Sequence, residues 1–326
     1  MLCIRNNITD PYFNIAAEEY FLQESDQEYF LLYINEPSVI IGKHQNAYAE
    51  INNDYIRENN IKVVRRISGG GAVWHDPGNL NFSFIRNGRE GELVNFRRHM
   101  QPVLNFLTEL GLKASFEGKN SIVVNRYKVS GNAEHVFKNR ILHHGTLLFN
   151  TNLTDLSEAL QVDSQKYLDR AVKSVRSSTT NIADQLSIKM NIKEFGNIFF
   201  QHIIKEDPDS RIIELKSSDN QKIKNLVNYK YSKWEWNFGY SPPYKLNRMV
   251  DISGFHLGIF LQVEKAHIIN ITISGNLLES SLRETLESAL TGQKHEEDTI
   301  IGILKQAELR DVSNRINPEE LIKVFF

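Results

Sequence analysis

The sequence is poor in the features that mark secreted, membrane-spanning and nucleic-acid-binding proteins. Its 326 residues include one cysteine, Cys3, which excludes an intramolecular disulfide framework and suits the cytoplasm. No apolar run approaches the roughly 20 residues of a membrane span, and the start MLCIRNNITDPYFN is too polar for a signal peptide. The net charge of −2 gives no bulk field that would favour nucleic acid or a membrane as partner. We therefore expect a cytoplasmic globular protein.

Two standard nucleotide-binding motifs are also missing, since no P-loop lysine follows a glycine run and no G-x-G-x-x-G opens a helix. Instead, Gly69, Gly70 and Gly71 stand between apolar stretches in IKVVRRISGGGAVWHDPGNLNFSF (61–84). This pattern predicts a strand, an open turn and further strands. Backbone N–H groups of such a turn can bind an anion, and Arg66 beside it can pair with a phosphate. The alternative is a plain hairpin turn with solvated arginines.

Two later strands carry further candidate side chains. Lys128 opens a strand, where it is either a solvated edge residue or a point charge set against phosphate or carboxylate. His143 and His144 are neighbours in a mostly apolar strand, so they face opposite sides and cannot share one metal ion. For each histidine the alternative is a hydrogen-bonded core residue. Gly145, inside the same strand, indicates close approach by a ligand or another backbone.

The remaining pattern predicts a mixed α/β protein of two domains. Segment 241–245, Ser-Pro-Pro-Tyr-Lys, is the best linker candidate. It separates a large domain, residues 1–243, from a small α+β domain, residues 247–326. The helices that we predict span Asn53–Asn59, Asn95–Leu110, Asn191–Lys205, Asn220–Tyr229, Leu277–Leu290, Glu297–Gln306 and Pro318–Val324, in addition to one that follows Asp10.

Taken together, seven segments resemble the lipoate–protein ligase A family. They are PYFNIAAEEYF (11–21), EPSVIIGKHQN (36–46), RRISGGGAVWHDPGNLNFSF (65–84), GKNS (118–121), KVSGNAEHVFKNRILHHGTLL (128–148), KSVRSSTTNI (173–182) and WEWNFG (234–239). They follow the family's order, and the segments 65–84 and 128–148 are the most specific. The part after residue 239 matches in size and layout more than in motif.

The resemblance implies a mixed β-sheet catalytic domain of the biotin/lipoate ligase type, followed by a small accessory domain. It implies ATP, with Mg²⁺ expected, and lipoate as substrate: lipoate is activated to lipoyl-AMP and then transferred to a lysine of an apo lipoyl domain. The partners it implies are the lipoyl domains of 2-oxoacid dehydrogenase acyltransferase subunits and the glycine-cleavage carrier protein.

The resemblance also implies roles for individual residues. Lys128 would be catalytic, bridging the carboxyl and α-phosphate oxygens in both steps without a covalent intermediate. Tyr33 and Ile15 would wall a tunnel for the acyl chain, where each buried methylene contributes about 0.8 kcal/mol. The residues expected to bind the acyl and adenylate groups are Arg66, Ser68, Gly69, Gly70, Gly71, Ala72, His75, Asn79, His144, Lys173 and Arg176. No metal ligand can be named.

One departure from the family pattern leaves the activation step open. The family commonly carries an aspartate after the asparagine of GKNS, and this chain has Ser121. Either Mg²⁺ uses other ligands here, or activation is weaker. The alternative function is therefore a lipoyl or octanoyl transferase that uses preformed lipoyl-AMP. An acyl-cysteine route is disfavoured because Cys3 lies outside every motif. Biotin ligases have a different glycine-rich signature, and a non-catalytic binder conflicts with the retention of Arg66, Lys128 and His144.

Overall fold

The chain folds as two units, each assembled from separate stretches of sequence. The computed structural model describes residues 1–88, 94–162, 166–175, 177–252, 254–306 and 321–326. The first unit comprises Met1–Lys43, Asn60–Leu160 and Ser174–Lys233, and the second comprises His44–Asn59, Gln161–Lys173 and Trp234–Phe326. The division into domains 1–243 and 247–326 stays a prediction.

Strands and helices are numbered in chain order. The strands are β1 (Leu2–Arg5), β2 (Tyr29–Ile34), β3 (Ser38–Ile41), β4 (Lys62–Arg65), β5 (Val73–His75), β6 (Asn79–Asn87), β7 (Ala114–Glu117), β8 (Ser121–Val124), β9 (Tyr127–Phe137), β10 (Arg140–Leu148), β11 (Tyr167–Asp169), β12 (Arg211–Ile212), β13 (Tyr244–Ile252), β14 (Phe255–Glu264) and β15 (His267–Gly275). The helices are α1 (Pro11–Gln23), α2 (Asn53–Glu58), α3 (Phe96–Glu109), α4 (Leu153–Leu160), α5 (Ile192–Glu206), α6 (Ser217–Leu226), α7 (Trp234–Asn237), α8 (Ser280–Leu290) and α9 (Glu297–Gln306).

The first unit is built on two mixed sheets. Within the described ranges, the larger one has eight strands in the order β12-β1-β2-β6-β10-β9-β8-β7, and the smaller one has the order β4-β3-β5. In the larger sheet β1 is parallel to β12 and β2, whereas the pairs from β2–β6 to β8–β7 are antiparallel. In the smaller sheet β3 is parallel to β4 and antiparallel to β5. The mixed α/β fold class is confirmed.

The two faces of the large sheet have different chemistry, which strand β6 shows most clearly. Phe82 and Phe84 point into an apolar core that α3 and α5 complete through residues such as Phe106 and Phe199. The alternate residues point to the other face: Ser83 lies directly opposite His144 on β10. Paired residues share a face of a sheet. The side chains of β6 therefore alternate between the apolar core on one face of the sheet and a polar, buried face on the other.

Gly145 lies where two core side chains leave no space. A β-carbon there would be 2.2 Å from Asn132 Oδ1 and 2.6 Å from Phe82 Cζ. The sequence predicted that a ligand or another backbone approaches Gly145 closely. In the structure the groups that approach it are the side chains of Asn132 and Phe82. Any larger residue at this position would displace them.

The second unit contains the antiparallel sheet β11-β13-β14-β15, with α8 and α9 contributing to its core. Strand β13 begins at Tyr244, so the prediction that Tyr244 and Lys245 belong to a linker was wrong. Helix α8 begins at Ser280, three residues later than predicted. Of the helix predicted at Pro318–Val324, residues 318–320 lie outside the described residues. Among the described helices, none combines the length and apolarity that a bilayer crossing requires.

Helix α6 ends earlier than the sequence pattern predicts. It stops at Leu226, and a π-helical turn covers Val227–Tyr231. The wider turn places Lys230 and Tyr231 on the buried Glu19 carboxylate, with Lys230 Nζ 2.6 Å from Glu19 Oε2. Tertiary contact with α1 thus overrides the helical spacing at this end.

Candidate functional site

Arg66 holds the glycine turn from its buried side. Its Nη2 donates to the carbonyl oxygens of Gly69 and Gly71, each at 2.7 Å, and its Nη1 donates to the Ile40 carbonyl at 2.9 Å. Arg66 is 5% exposed, and this burial lowers the pKa of the guanidinium to about 10. The sequence predicted an anion beside this arginine, whereas these donors meet protein oxygens. The bonds fix the direction in which the peptide groups of the turn face.

The three glycines of the turn have different surroundings. Gly70 adopts φ +89°, a conformation that glycine reaches without strain. A β-carbon at Gly71 would lie 2.9 Å from Ser174 Oγ and 3.1 Å from Ser174 Cα. At Gly69 no atom of the described residues lies within 4 Å of that position. Gly69 therefore borders open space, where a ligand can approach the backbone.

Ser174 closes the far end of the turn. Its hydroxyl oxygen accepts a hydrogen bond of 2.8 Å from the Ala72 backbone nitrogen. The Ala72 N–H at this end of the turn is therefore satisfied by a protein oxygen.

Beneath the turn, Ser68, His144 and Glu18 form a chain of hydrogen bonds. Ser68 Oγ lies 2.7 Å from His144 Nε2, and His144 Nδ1 lies 2.7 Å from Glu18 Oε2. The Glu18 carboxylate also accepts from the hydroxyls of Tyr33 and Ser83. The residues of this chain are buried. The polar face of the large sheet thus carries a connected network directly below the glycines.

A second polar group surrounds His75 and Asn79. His75 Nδ1 accepts from Asn35 Nδ2 at 2.9 Å, and Asn79 Nδ2 donates to Asn81 Oδ1 at 2.8 Å. Burial lowers the pKa of His75 to about 3, so its ring is neutral and carries the proton on Nε2. Among the described residues, His75 Nε2, Asn79 Oδ1 and Asn81 Nδ2 are buried without a hydrogen-bond partner. Such atoms are usually satisfied by a ligand or an ordered water.

A β-bulge in strand β9 determines where Lys128 points. Val123 pairs with Lys128 although Ile122 pairs with Ser130, so Val129 is an extra residue in β9. Val129 is buried in the apolar core. Because one inserted residue reverses the alternation of a strand, Lys128 turns to the opposite face.

The Lys128 side chain accordingly lies over Gly131. Its Nζ is 3.3 Å from the position of a β-carbon at Gly131, and its backbone bonds to Ser178 and Thr180. Burial lowers the pKa of Lys128, which the nearby Glu117 carboxylate partly opposes. Of the two alternatives drawn from the sequence, the structure favours a partly desolvated point charge over a solvated edge lysine.

His143 occupies the other face of the sheet, as predicted. Its Nδ1 lies 2.9 Å from Glu134 Oε1, and its Nε2 lies 3.2 Å from Asn132 Oδ1. Burial raises the pKa of Glu134 to about 7 and lowers that of His143 to about 3. When Glu134 is protonated, its carboxyl therefore donates a hydrogen bond to the neutral imidazole of His143. This pair belongs to the core and is separate from the network around His144.

Lys173 and Arg176 are not brought to the glycine turn by any described contact. Lys173 belongs to the second unit, where its Nζ lies 2.9 Å from Asp169 Oδ1. Asn46 Nδ2 donates to the other oxygen of the same carboxylate at 3.2 Å. Arg176 lies outside the described residues. The ligand-binding role of both stays a prediction.

The residues near Lys128 offer little to a metal ion by themselves. In the described part of the chain, no group of three or more His, Cys, Asp and Glu side chains could hold a metal. Ser121, at the position where the family commonly has an aspartate, is buried in β8 opposite Glu117 of β7. Glu117 therefore places a carboxylate beside both Ser121 and Lys128.

Comparison with known proteins identifies the family. Residues 10–204 match the family described as Lipoyl protein ligase A/B catalytic domain, and residues 241–325 match the one described as Bacterial lipoate protein ligase C-terminus. This chain belongs to the lipoate–protein ligase family. The resemblance inferred from the motifs is confirmed, and the chain is a ligase enzyme.

One ligase is similar along the whole chain, and two ligase structures are similar to about three quarters of it. The lipoate-protein ligase LplJ of Bacillus subtilis (strain 168) is 38% identical over 331 residues, which cover 100% of both chains. A crystal structure of lipoate-protein ligase A bound with ATP is 28% identical, with a TM-score of 0.63, over 73% of this chain and 98% of that one. The bipartite lipoate protein ligase of Thermoplasma acidophilum, studied with its E2 lipoyl domain, is 27% identical, with a TM-score of 0.63, over 73% of this chain and 96% of that one.

The sequence did not identify every residue of this candidate site. Glu18 and Ser83 were missed, although both complete the network around His144. Glu18 did carry a signal, because a carboxylate inside the apolar run of YFNIAAEEYF needs a buried partner. Asn35 gave no comparable signal, since an asparagine after a strand usually marks a turn.

Proposed function

We propose that this ligase activates lipoate with ATP and transfers the lipoyl group to a lysine of an apo lipoyl domain. In the first step a lipoate carboxylate oxygen attacks the α-phosphorus, the bond to the β-phosphate oxygen breaks and pyrophosphate leaves. In the second step the lysine amine attacks the acyl carbonyl, the bond to the phosphate oxygen breaks, AMP leaves and the amine loses its proton.

One observation carries this proposal: the structure combines a glycine turn whose carbonyls bind the buried Arg66 with a partly desolvated lysine, Lys128. The Gly69 carbonyl binds Arg66, which turns the Gly70 N–H away from the arginine and toward an anionic ligand. Lys128 adds a positive charge from β9 of the larger sheet, a strand whose Ala133 β-carbon lies 3.9 Å from the β-carbon position of Gly70. Both steps develop or move negative charge between a carboxyl and a phosphate, so fixed donors and one cation suit them. No side chain needs to form a covalent intermediate.

Mg²⁺ would be held by Glu117 together with the phosphates of ATP. A single carboxylate fits this ion, because Mg²⁺ in nucleotide sites usually combines one or two carboxylates with phosphate oxygens and water. When bound, it would neutralise phosphate charge. Ser121 contributes a hydroxyl in place of the family's aspartate, and this observation favours the second candidate: a transferase that uses preformed lipoyl-AMP.

The acceptors that we propose are lipoyl domains. The structural neighbour from Thermoplasma acidophilum is described with its E2 lipoyl domain. By analogy, we assign to this chain the lipoyl domains of 2-oxoacid dehydrogenase acyltransferase subunits and the glycine-cleavage carrier protein, in the cytoplasm.

Lipoate-dependent ATP–pyrophosphate exchange, measured without any carrier domain, tests the proposal. We expect exchange in the wild type and a loss of about 10²–10³-fold in Lys128→Ala, as when one charge-stabilising donor is removed from an active site. The exposed Lys119→Ala is the matched control. Absence of exchange, with transfer from supplied lipoyl-adenylate intact, would make this chain a transferase.

A further inference from the structure

A continuous chain of hydrogen bonds joins helix α1 to the glycine turn. It runs from the Glu18 carboxylate to His144 (2.7 Å), from His144 to Ser68 (2.7 Å) and from Ser68 to Arg66 Nε (3.0 Å). Arg66 then binds the turn carbonyls, including that of Gly69 at 2.7 Å. The chain therefore links three separate segments of the sequence.

The hydrogen bonds of this chain can all run in one direction. Arg66 Nε can only donate, so Ser68 Oγ accepts from it, and the Ser68 hydroxyl remains able to donate to His144 Nε2. With Nε2 accepting, the ring of His144 carries its proton on Nδ1, which donates to Glu18. Glu18 also accepts from the hydroxyls of Tyr33 and Ser83, so three donors converge on its carboxylate. Each group in the chain sets the orientation of the next.

Glu18 also balances a buried charge. Arg66 is 5% exposed and Glu18 is 1% exposed, and the Glu18 carboxylate raises the pKa of the Arg66 guanidinium against the effect of burial. A buried charge without an opposite partner is strongly destabilising. Removing the Glu18 charge would therefore weaken the hold of Arg66 on the turn.

The hold of Arg66 decides where the turn's donors point. In a trans peptide the C=O and N–H groups point in opposite directions. The Gly69 carbonyl faces Arg66, so the Gly70 N–H points away from Arg66. The Gly71 carbonyl also faces Arg66, so the Ala72 N–H points away from Arg66 as well. The Ala72 N–H meets an acceptor there, the Ser174 hydroxyl at 2.8 Å.

We propose that Glu18 is a positioning residue of this ligase, which acts through His144, Ser68 and Arg66 to orient the Gly70 N–H of the glycine turn toward the reacting anions. Glu18 does not touch the substrate's reacting atoms in this role. The inference rests on the proposed function, since it concerns the anion-binding face of the same turn.

Glu18→Gln tests the inference, with Glu19→Gln as the matched control. The two carboxylates are neighbours in α1 and both are buried. Glu19, however, contacts Lys230 and Tyr231 and is not part of the hydrogen-bond series from Glu18 to Arg66. For Glu18→Gln we expect an increase of about tenfold in the KM for ATP in pyrophosphate exchange, in line with the loss of a hydrogen bond to a charged group. Glu19→Gln should lower Tm and leave KM unchanged.

Ser68→Ala breaks the same chain in its middle without removing a charge, so it keeps the test valid if Glu18→Gln does not fold. We expect it to raise KM as Glu18→Gln does. In the double variant the two effects should not add, because both act through one path. Glu18→Asp should restore part of the lost affinity.

Two results would overturn the inference. One is a Glu18→Gln enzyme with a lower Tm and an unchanged KM; the other is full additivity with Ser68→Ala. If the wild type gives no exchange but transfers from lipoyl-adenylate, the proposed function fails separately, and the same comparison of variants is then made on the KM for lipoyl-adenylate.

Discussion

The ammonium group of Lys128 lies over Gly131, with Nζ 3.3 Å from the place that a β-carbon would take. A methyl group there would move the amine by a few tenths of an ångström. For Gly131→Ala we expect kcat in pyrophosphate exchange to fall about tenfold, because small displacements of a catalytic charge have large effects. Gly302→Ala, in α9, is the control, since no described atom lies within 4 Å of its β-carbon position. Equal kcat in both variants would contradict the placement of Lys128.

Gly69→Ala should separate ligand binding from folding. The β-carbon would enter open space at a position without left-handed backbone, so Tm should stay within about 2 °C of the wild type, as for most surface substitutions. If a ligand lies against the turn, the KM for ATP or lipoate should rise. Thermal unfolding and exchange kinetics measure the two effects. An unchanged KM for both substrates would mean that Gly69 does not contact them.

Gly71→Ala should act through Ser174. The new methyl group would crowd Ser174 Oγ and Cα, at 2.9 Å and 3.1 Å, and separate the serine from the Ala72 N–H. We expect faster tryptic cleavage after the adjacent Lys173, which limited proteolysis with mass spectrometry would detect. Gly69→Ala serves as the control, because it leaves this contact intact. If Gly71→Ala and Gly69→Ala are cleaved at the same rate after Lys173, the position of Ser174 does not depend on a glycine at position 71.

Some of this site could be predicted from sequence because local patterns decide it. The alternation in Leu80–Phe84 follows the two faces of a strand, and the opposite orientations of His143 and His144 follow from their adjacency. The partners of these residues are a different matter. Glu18 is 126 residues from His144 in the chain, and no local pattern brings the two together.

The direction of Lys128 was equally hidden from the sequence. A regular strand would have turned its side chain to the core face, and the bulge at Val129 reverses this. Nothing in Tyr127–Phe137 marks the extra residue, since valine suits a strand. Arg66 illustrates the same limit: the sequence shows an arginine before three glycines, but only the fold shows that backbone carbonyls surround it.

Stability should depend on pH through Glu134. Burial raises the pKa of Glu134 to about 7 from 4.5, so its contribution is fully present below pH 4.5 and is lost as the pH rises through 7. In Glu134→Gln the amide can donate to His143 at any pH. From pH 6 to pH 8 we expect the Tm of the wild type to fall by roughly 2–4 °C more than that of the variant. Parallel Tm curves would show that Glu134 does not titrate in this range.

Dependence on Mg²⁺ should reveal whether Glu117 replaces the family's aspartate. Removing the Glu117 carboxylate, which acts on Lys128 and lies opposite Ser121, should weaken metal binding, so Glu117→Gln should need roughly tenfold more Mg²⁺ for half-maximal exchange. Ser121→Asp should need less than the wild type, and the double variant should fall between the two. The exposed Glu284→Gln is the control.

Mn²⁺ binding in the presence of a non-hydrolysable ATP analogue gives a readout independent of turnover, by electron paramagnetic resonance. Glu117 lies opposite Ser121 on the adjacent strand, so a carboxylate at either position could reach the same phosphates. If Glu117→Gln binds Mn²⁺ as the wild type does while Ser121→Asp binds it more tightly, Glu117 is not a ligand. The activation step of this chain would then depend on the phosphates and Lys128 alone.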